Sequence, residues 1–150
     1  MGDRQPRLLL LDTHVWIWTV EGAAAELAAA AIERIEKASD AGAVRVAAIS
    51  VWEVAMLEAR GRLSLALEID EWVRQALAAP GIQFVPLSPE IAVDSARLPG
   101  EPAGDPADRM LVATARRIGA SLVTRDQRLL AYGGLGHLSV VDARPRSALR

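Results

Sequence analysis

The apolar positions of this chain fall into short unbroken runs, separated by longer stretches with helical spacing. The first run is Leu8-Leu9-Leu10-Leu11, and it stops at Asp12. A run of that length, apolar at every position, predicts a strand covered on both faces. VRVAAI (44–49), IQFV (82–85), ASLVT (120–124) and LSVVD (138–142) predict four more. Between them lie helical segments. One starts near Thr13 and ends near Gly22. Another covers 24–38, with Leu27, Ala31, Ile35 and Ala38 at helical spacing. SVWEVAMLEAR opens at Ser50 and stops at Gly61; IDEWVRQALA is closed by Pro80-Gly81. Ser88-Pro89 starts EIAVDSARL, and 106–118 ends at Gly119. RDQRLLAY (125–132) reads as a short helix or turn ended by Gly133-Gly134. RLSLALE is a connector, EPAGDPAD (101–108) a turn-rich loop, and the tail beyond 142 is expected to fray.

Strands alternating with helices predict an α/β fold, with a central, mostly parallel sheet of four to five strands flanked by helices. In such sheets, functional groups collect beyond the carboxyl ends of the strands. The 150 residues suit one domain, with its core over about 8–142. Hydrophobic residues make up 51% and charged residues 24%, which excludes a disordered or membrane composition. The polar start MGDRQPR and the break at Asp12 do not suit a signal peptide, so a cytoplasmic protein is expected.

The absence of cysteine removes disulfides, thiolate catalysis and zinc–cysteine sites. His14 and His137 are the only histidines, too few for a histidine-rich metal site. The net charge of −2 supplies no overall attraction to nucleic acid. Of the 17 basic residues, all but Lys37 are arginine. Compositional bias is the main reading of that excess, in a chain also rich in alanine and glycine.

The chemistry lies in where the acids fall. Asp12 follows the first strand, Glu53 lies one helical turn after the second, and Asp126 stands two residues beyond the fourth. Asp105 and Asp108 open the helix DPADRMLVATARR. Each has a structural explanation. Ser50 with Glu53 fits a capping box; Asp105, Pro106 and Asp108 fit a helix start; Asp12 and Asp126 each precede a helix. Together they converge on one sheet edge, where like charges repel unless a cation joins them. A carboxylate-only set selects Mg²⁺ or Mn²⁺ over zinc and suits phosphoryl chemistry.

The ordered set LLLLDTHVW, AISVWEVAML and DPADRMLVATARRIGASLVTRD resembles the PIN-domain family, in particular VapC-type toxins of bacterial toxin–antitoxin pairs. The resemblance spans about residues 8 to 142. It implies a PIN-like α/β/α sandwich whose acidic quartet maps onto Asp12, Glu53, Asp108 and Asp126. Thr124-Arg125-Asp126 matches its Ser/Thr-x-Asp element, and Asp105 is left as a cap or outer group. It also implies an endoribonuclease using a metal-activated water and leaving 5′-phosphate and 3′-hydroxyl ends. A homodimer and a small antitoxin covering the site are implied as well.

Around the quartet, Thr13 and Thr124 carry hydroxyls able to hold a carboxylate or a water. Ser50 reads as an N-cap that also orients Glu53. Arg109 and Arg125 stand next to the acids, within reach of them or of RNA phosphates. The four tryptophans read mainly as packing, with base stacking as the alternative. THVWIW reads as a surface groove or contact. A haloacid-dehalogenase-type phosphatase would need a second Asp where His14 stands, and a receiver domain a late lysine. The remaining alternative is a non-catalytic binding module in which the acids are only caps.

Overall fold

Leu9–Leu11 form β1, the central strand of a five-stranded sheet, and no leucine in it is more than 2% exposed. The computed structural model of the chain describes residues 7–100 and 104–146. Strands β2 (Val44–Ala47), β3 (Ile82–Val85), β4 (Ser121–Thr124) and β5 (Val140–Asp142) complete the sheet in the order β3-β2-β1-β4-β5. Every pairing is parallel. Successive side chains of a strand face opposite ways. Leu9 and Leu11 therefore pack beneath α1 (Thr13–Glu21), α2 (Ala29–Asp40) and α4 (Ile69–Ala78). Leu10 packs on the other face, beneath α5 (Pro89–Ala96), α6 (Pro106–Ile118) and α7 (Gln127–Gly134). Helix α3 (Ala48–Ala59) touches α1, α4 and α6 and closes the side between the layers. Burying each such leucine contributes roughly 2 kcal/mol, so β1 is a rigid support. Among the described residues, no helix is long and apolar enough to cross a membrane.

Three local expectations change. The segment 24–38 is not one helix: a 3₁₀ turn at Ala24–Glu26 is followed by extended Leu27 before α2 begins. The Ala28 N–H donates to the Ala143 carbonyl (2.9 Å), and Leu27 is buried, so tertiary contacts override helix propensity there. The second strand ends at Ala47, and Ala48 and Ile49 already belong to α3. Gly133 and Gly134 lie inside α7 rather than ending it. A Cβ on Gly133 would come within 2.7 Å of both Val140 methyl carbons, so the missing side chain lets α7 rest on β5.

The tail does not begin to fray at 143. Ala143 is fully buried, its N–H donates to the Thr124 carbonyl (2.9 Å), and Arg144 pairs with Asp142. The first seven residues except Arg7, the loop residues 101–103 and the end of the tail lie outside the described residues.

The order β3-β2-β1-β4-β5 reverses direction between β1 and β4. At such a switch point the connections leave to opposite sides and open a crevice at the carboxyl edge. Helices that follow or precede parallel strands return antiparallel to them. The starts of α1, α3, α6 and α7 thus share the edge at which β1, β2 and β4 end.

The turn before β3 supplies a test of this packing. Gly81 has φ +83°, and a Cβ there would lie 2.7 Å from the Ser39 carbonyl carbon. Gly81→Ala should cost about 2–4 kcal/mol from left-handed strain and overlap, lowering the melting temperature by about 5–10 °C. An unchanged melting temperature would show that the α2–β3 junction can move aside.

Candidate active site

Asp12 is held from four directions. Its backbone N–H donates to the Val123 carbonyl (3.0 Å), continuing the β1–β4 pairing one residue past the strand. The extended backbone of Asp12 makes it the N-cap of α1, and its Oδ1 accepts from the Thr13 N–H at 2.7 Å. Its Oδ2 accepts from the Thr124 hydroxyl at 2.6 Å. Its carbonyl accepts the first helical bond, from Trp16.

Thr124 is the last residue of β4 and is fully buried. Its hydroxyl donates to Asp12 and accepts from the Asp126 N–H (3.0 Å). One side chain therefore spaces Asp126 from Asp12 across the switch point. Asp126 caps α7, accepting from the Arg128 and Leu129 N–H groups at 2.8 and 3.2 Å.

Glu53 approaches from α3. Its Oε1 accepts from the Thr13 hydroxyl at 2.7 Å, and that hydroxyl also lies 2.9 Å from the Ser50 hydroxyl. A hydroxyl has a single proton. With Thr13 donating to the carboxylate, Ser50 donates to Thr13, and the three form a chain ending on Glu53. Thr13 and Ser50 are both buried.

Ser50 is therefore not the N-cap of α3. The cap position is Ala47, with no side-chain bond, and Ser50 sits inside the first turn. The capping-box pattern is present in the sequence, but the helix starts earlier and turns the hydroxyl inward to Thr13. Residues three apart share a helix face, so Ser50 and Glu53 meet Thr13 together.

Asp105 does cap α6, accepting from the Asp108 N–H at 3.0 Å. Asp108 follows in the first turn. Gly104, with φ +114°, lies against it: a Cβ at Gly104 would stand 2.6 Å from Asp108 Oδ2. Gly104 had no distinguishing mark in the sequence beyond its place in a turn-rich loop.

The acids act on one another. Burial pushes the Asp12 carboxyl up from its ordinary value; the Thr124 and Thr13 hydrogen bonds and His14 oppose this, and Asp126 adds to it. Burial also raises Glu53, against the Thr13 hydrogen bond, with Asp12 and Asp105 raising it further. Asp108 is pushed up to about 7, first by burial and then by the charges of Asp105, Asp12, Asp126 and Glu53. Neither arginine nor lysine is among the groups that shift these three acids.

Arg109 donates through Nε to the Ser95 carbonyl (3.0 Å), which ties α6 to α5. Arg125 binds Glu26 (2.8 Å) and lies over the Trp18 ring, 4.9 Å from its centroid. Both therefore hold structure beside the acids instead of neutralising them. THVWIW is mostly core: Thr13, Val15, Trp16 and Ile17 are buried, while His14 is exposed and stacks obliquely on half-buried Trp18. Trp16 and Trp72 pack edge to face in the core at 5.0 Å; Trp52, next to Glu53, is exposed.

Residues 9–135 match the PIN domain. The chain is 38% identical over 125 residues to ribonuclease VapC22 of Mycobacterium tuberculosis, an alignment covering 83% of this chain and 91% of that protein. The chain belongs to the PIN-domain family, in its VapC branch. Solved structures share the fold at low identity. The VapBC2 complex of Rickettsia felis bound to a promoter DNA fragment matches with a TM-score of 0.65 at 12% identity, over 91% of this chain and 98% of that one. DNA-bound VapBC of Salmonella typhimurium matches with a TM-score of 0.64 at 18% identity, over the same shares.

In this PIN domain the quartet Asp12, Glu53, Asp108 and Asp126, with Asp105 beside it, occupies one edge of the sheet. Among the described residues, no three acidic or histidine side chains already form a closed ligand set. The donor chemistry nonetheless fits a hard divalent cation: oxygen ligands only, mutually raised, with hydroxyl support from Thr13 and Thr124.

This electrostatic crowding has a measurable sign. An acid whose folded pKa exceeds its unfolded value favours folding at low pH, and that contribution is lost as pH rises through the folded pKa. For Asp108 the window runs from its ordinary 3.8 to about 7. Without divalent cations, Asp108→Asn should melt a few degrees above the wild type at pH 8 and level with it near pH 4. Millimolar Mg²⁺ at pH 8 should narrow the gap. A gap that is independent of both pH and Mg²⁺ would contradict the crowding.

Proposed function

We propose that this chain is the toxin ribonuclease of a toxin–antitoxin pair: an Mg²⁺- or Mn²⁺-dependent endoribonuclease acting in the cytoplasm. The observation that carries the reading is the gathering of Asp12, Glu53, Asp105, Asp108 and Asp126 at one sheet edge, where burial first and the other four carboxylates next push Asp108 up to about 7. The identity to ribonuclease VapC22 supports RNA as the substrate class. The likeness to toxin–antitoxin complexes supports an antitoxin partner and a toxin role; a homodimer is proposed with it.

Asp12, Glu53, Asp108 and Asp126 are the proposed ligands and catalytic acids. When bound there, the ion supplies a water of lowered pKa and neutralises charge on the scissile phosphate. Asp12 gives the rigid anchor, since two hydrogen bonds and the end of β1 fix its carboxylate. Thr124 keeps Asp12 and Asp126 in register. Thr13, backed by Ser50, orients Glu53. Asp105 adds negative potential from the start of α6. The water oxygen bonds to phosphorus in line as the bond to O3′ breaks. The water proton is taken up at this carboxylate-rich edge and the leaving oxygen is protonated, giving 5′-phosphate and 3′-hydroxyl ends. Arg109 and Arg125 hold α5 and the α1–α2 connection, and so position the walls of the site rather than the phosphate.

The alternative, a binding module whose acids are only caps, draws on the capping bonds of Asp12, Asp105 and Asp126. It leaves Glu53 unexplained, because Glu53 caps nothing and points at Thr13 from within α3.

Purified protein should cleave RNA with Mg²⁺ or Mn²⁺ and stop with EDTA. Asp12→Asn should lose at least about a thousandfold in rate and no longer arrest growth when expressed. Cleavage that survives both EDTA and Asp12→Asn would sink the metal mechanism. Thr124→Val, which keeps the shape and drops the hydroxyl, should lose about 10–100-fold in activity or metal affinity with a folded far-UV spectrum. Full activity in that variant would remove Thr124 from the site.

A further inference from the structure

The edge of the sheet opposite the acids is basic. Three hollows open there, of about 360, 470 and 180 Å³. Arg116 lines both the first and the second; Arg7 lines both the second and the third. Neighbouring hollows therefore adjoin at a shared arginine, and the row of three, a basic trough in segments, passes from the ends of α5 and α6, past the start of β1, to the last turns of α2. Arg97, Arg117, Arg116, Arg7, Arg34 and Lys37 follow its length, with His137 beside Arg116. Asp94 is the single acid among the lining residues, and Arg117 already pairs with it at 2.9 Å. Among the described residues, the other five cations have no carboxylate partner.

Two of these arginines are aimed by neutral groups. Arg7 donates through Nε to the Ser121 hydroxyl (2.8 Å), which in turn meets the Ser139 hydroxyl at 2.7 Å. Arg116 donates to the His137 carbonyl. Each guanidinium is thus oriented without being neutralised, and its planar fork matches phosphate oxygens. In a chain of net charge −2, this concentration of unpaired cations at one end is a separation of charge that composition conceals.

We infer that this trough binds the phosphate backbone of the RNA substrate on the side away from the scissile bond. The inference rests on the ribonuclease reading above. The arrangement suits a linear polyanion: the hollows are open and cations stand at successive positions from one to the next, unlike an enclosed hole for one small anion. The reach also suits one. Asp108 and Arg116 lie on the same helix, about 12 Å apart along its axis at 1.5 Å per residue. The middle of α6 is buried beneath its neighbours, so an oligonucleotide with its scissile phosphate at the acids would reach the basic edge across the outer helix α5, which packs on α6. The acidic edge repels RNA until cations arrive, and the basic edge supplies the attraction it lacks.

The test uses a fluorescein-labelled, unstructured 20-nucleotide RNA and a DNA duplex of equal length. Binding is measured in Ca²⁺ on Asp12→Asn protein by anisotropy between 50 and 300 mM salt. Cleavage of the same RNA is measured on the otherwise wild-type chain in Mg²⁺. Arg7→Gln/Arg116→Gln should bind RNA about tenfold more weakly, with a salt slope shallower by about 1.4, which is about 0.7 for each lost phosphate contact. KM should rise by a similar factor with kcat held. Arg34→Gln/Lys37→Gln, on exposed helical positions, should show the same pattern more weakly and guards against a folding defect in the first pair. Unchanged RNA affinity and salt slope in both pairs would overturn the inference while leaving the ribonuclease reading intact. Altered binding without cleavage by the wild type would fail that reading instead. Equal loss of RNA and duplex DNA binding would overturn the assignment to RNA, making the trough a general polyanion surface.

Discussion

Five carboxylates gathered at one edge of a sheet are costly to fold, and most of the local architecture around them manages that cost. The hydrogen bond from the buried Thr124 hydroxyl to Asp12 is central to it. It crosses the switch point between β1 and β4, fixes one carboxylate oxygen, and uses the same hydroxyl to receive the Asp126 N–H. Without it, the first acid would have only its helix cap, and Asp126 would lose its spacing from Asp12. The sheet below is correspondingly rigid. Leu9, Leu10 and Leu11 are buried on alternate faces, so the charge at their end is carried by a strand with little freedom to retreat.

The hydroxyls divide the work on the other side. Thr13 is the first residue of α1 and lies between Ser50 and Glu53 on α3. This contact couples the helix after β1 to the helix after β2, and it is buried. A polar group in such a place must be satisfied, and here three polar side chains satisfy one another. The arrangement explains why α3 starts without a side-chain cap. Its best candidate is spent on aligning the acid one turn later.

The fold was legible wherever the cause was local. Four leucines in succession announce a strand covered on both faces. Asp105 followed by Pro106, and Ser88 followed by Pro89, announce helix starts, and both caps form. The convergence of the acids was also legible, because a parallel sheet puts strand ends and helix starts on one edge. What failed was governed by partners distant in the chain. The helix expected over 24–38 breaks because Ala28 bonds to Ala143 beyond β5. Ser50 turns inward because Thr13 waits there. Gly133 continues α7 because Val140 lies where a side chain would go. The roles of Arg109 and Arg125 could not be read from their neighbours either; Ser95 and Glu26, which hold them, lie on other elements.

Asp12, Asp105 and Asp126 each close the first turn of a helix with the same carboxylate that faces the acidic edge. Three helices thus have their opening amides wired to one electrostatic centre. The acidic edge is therefore also a structural knot: the carboxylates that face it hold the opening turns of α1, α6 and α7 in place.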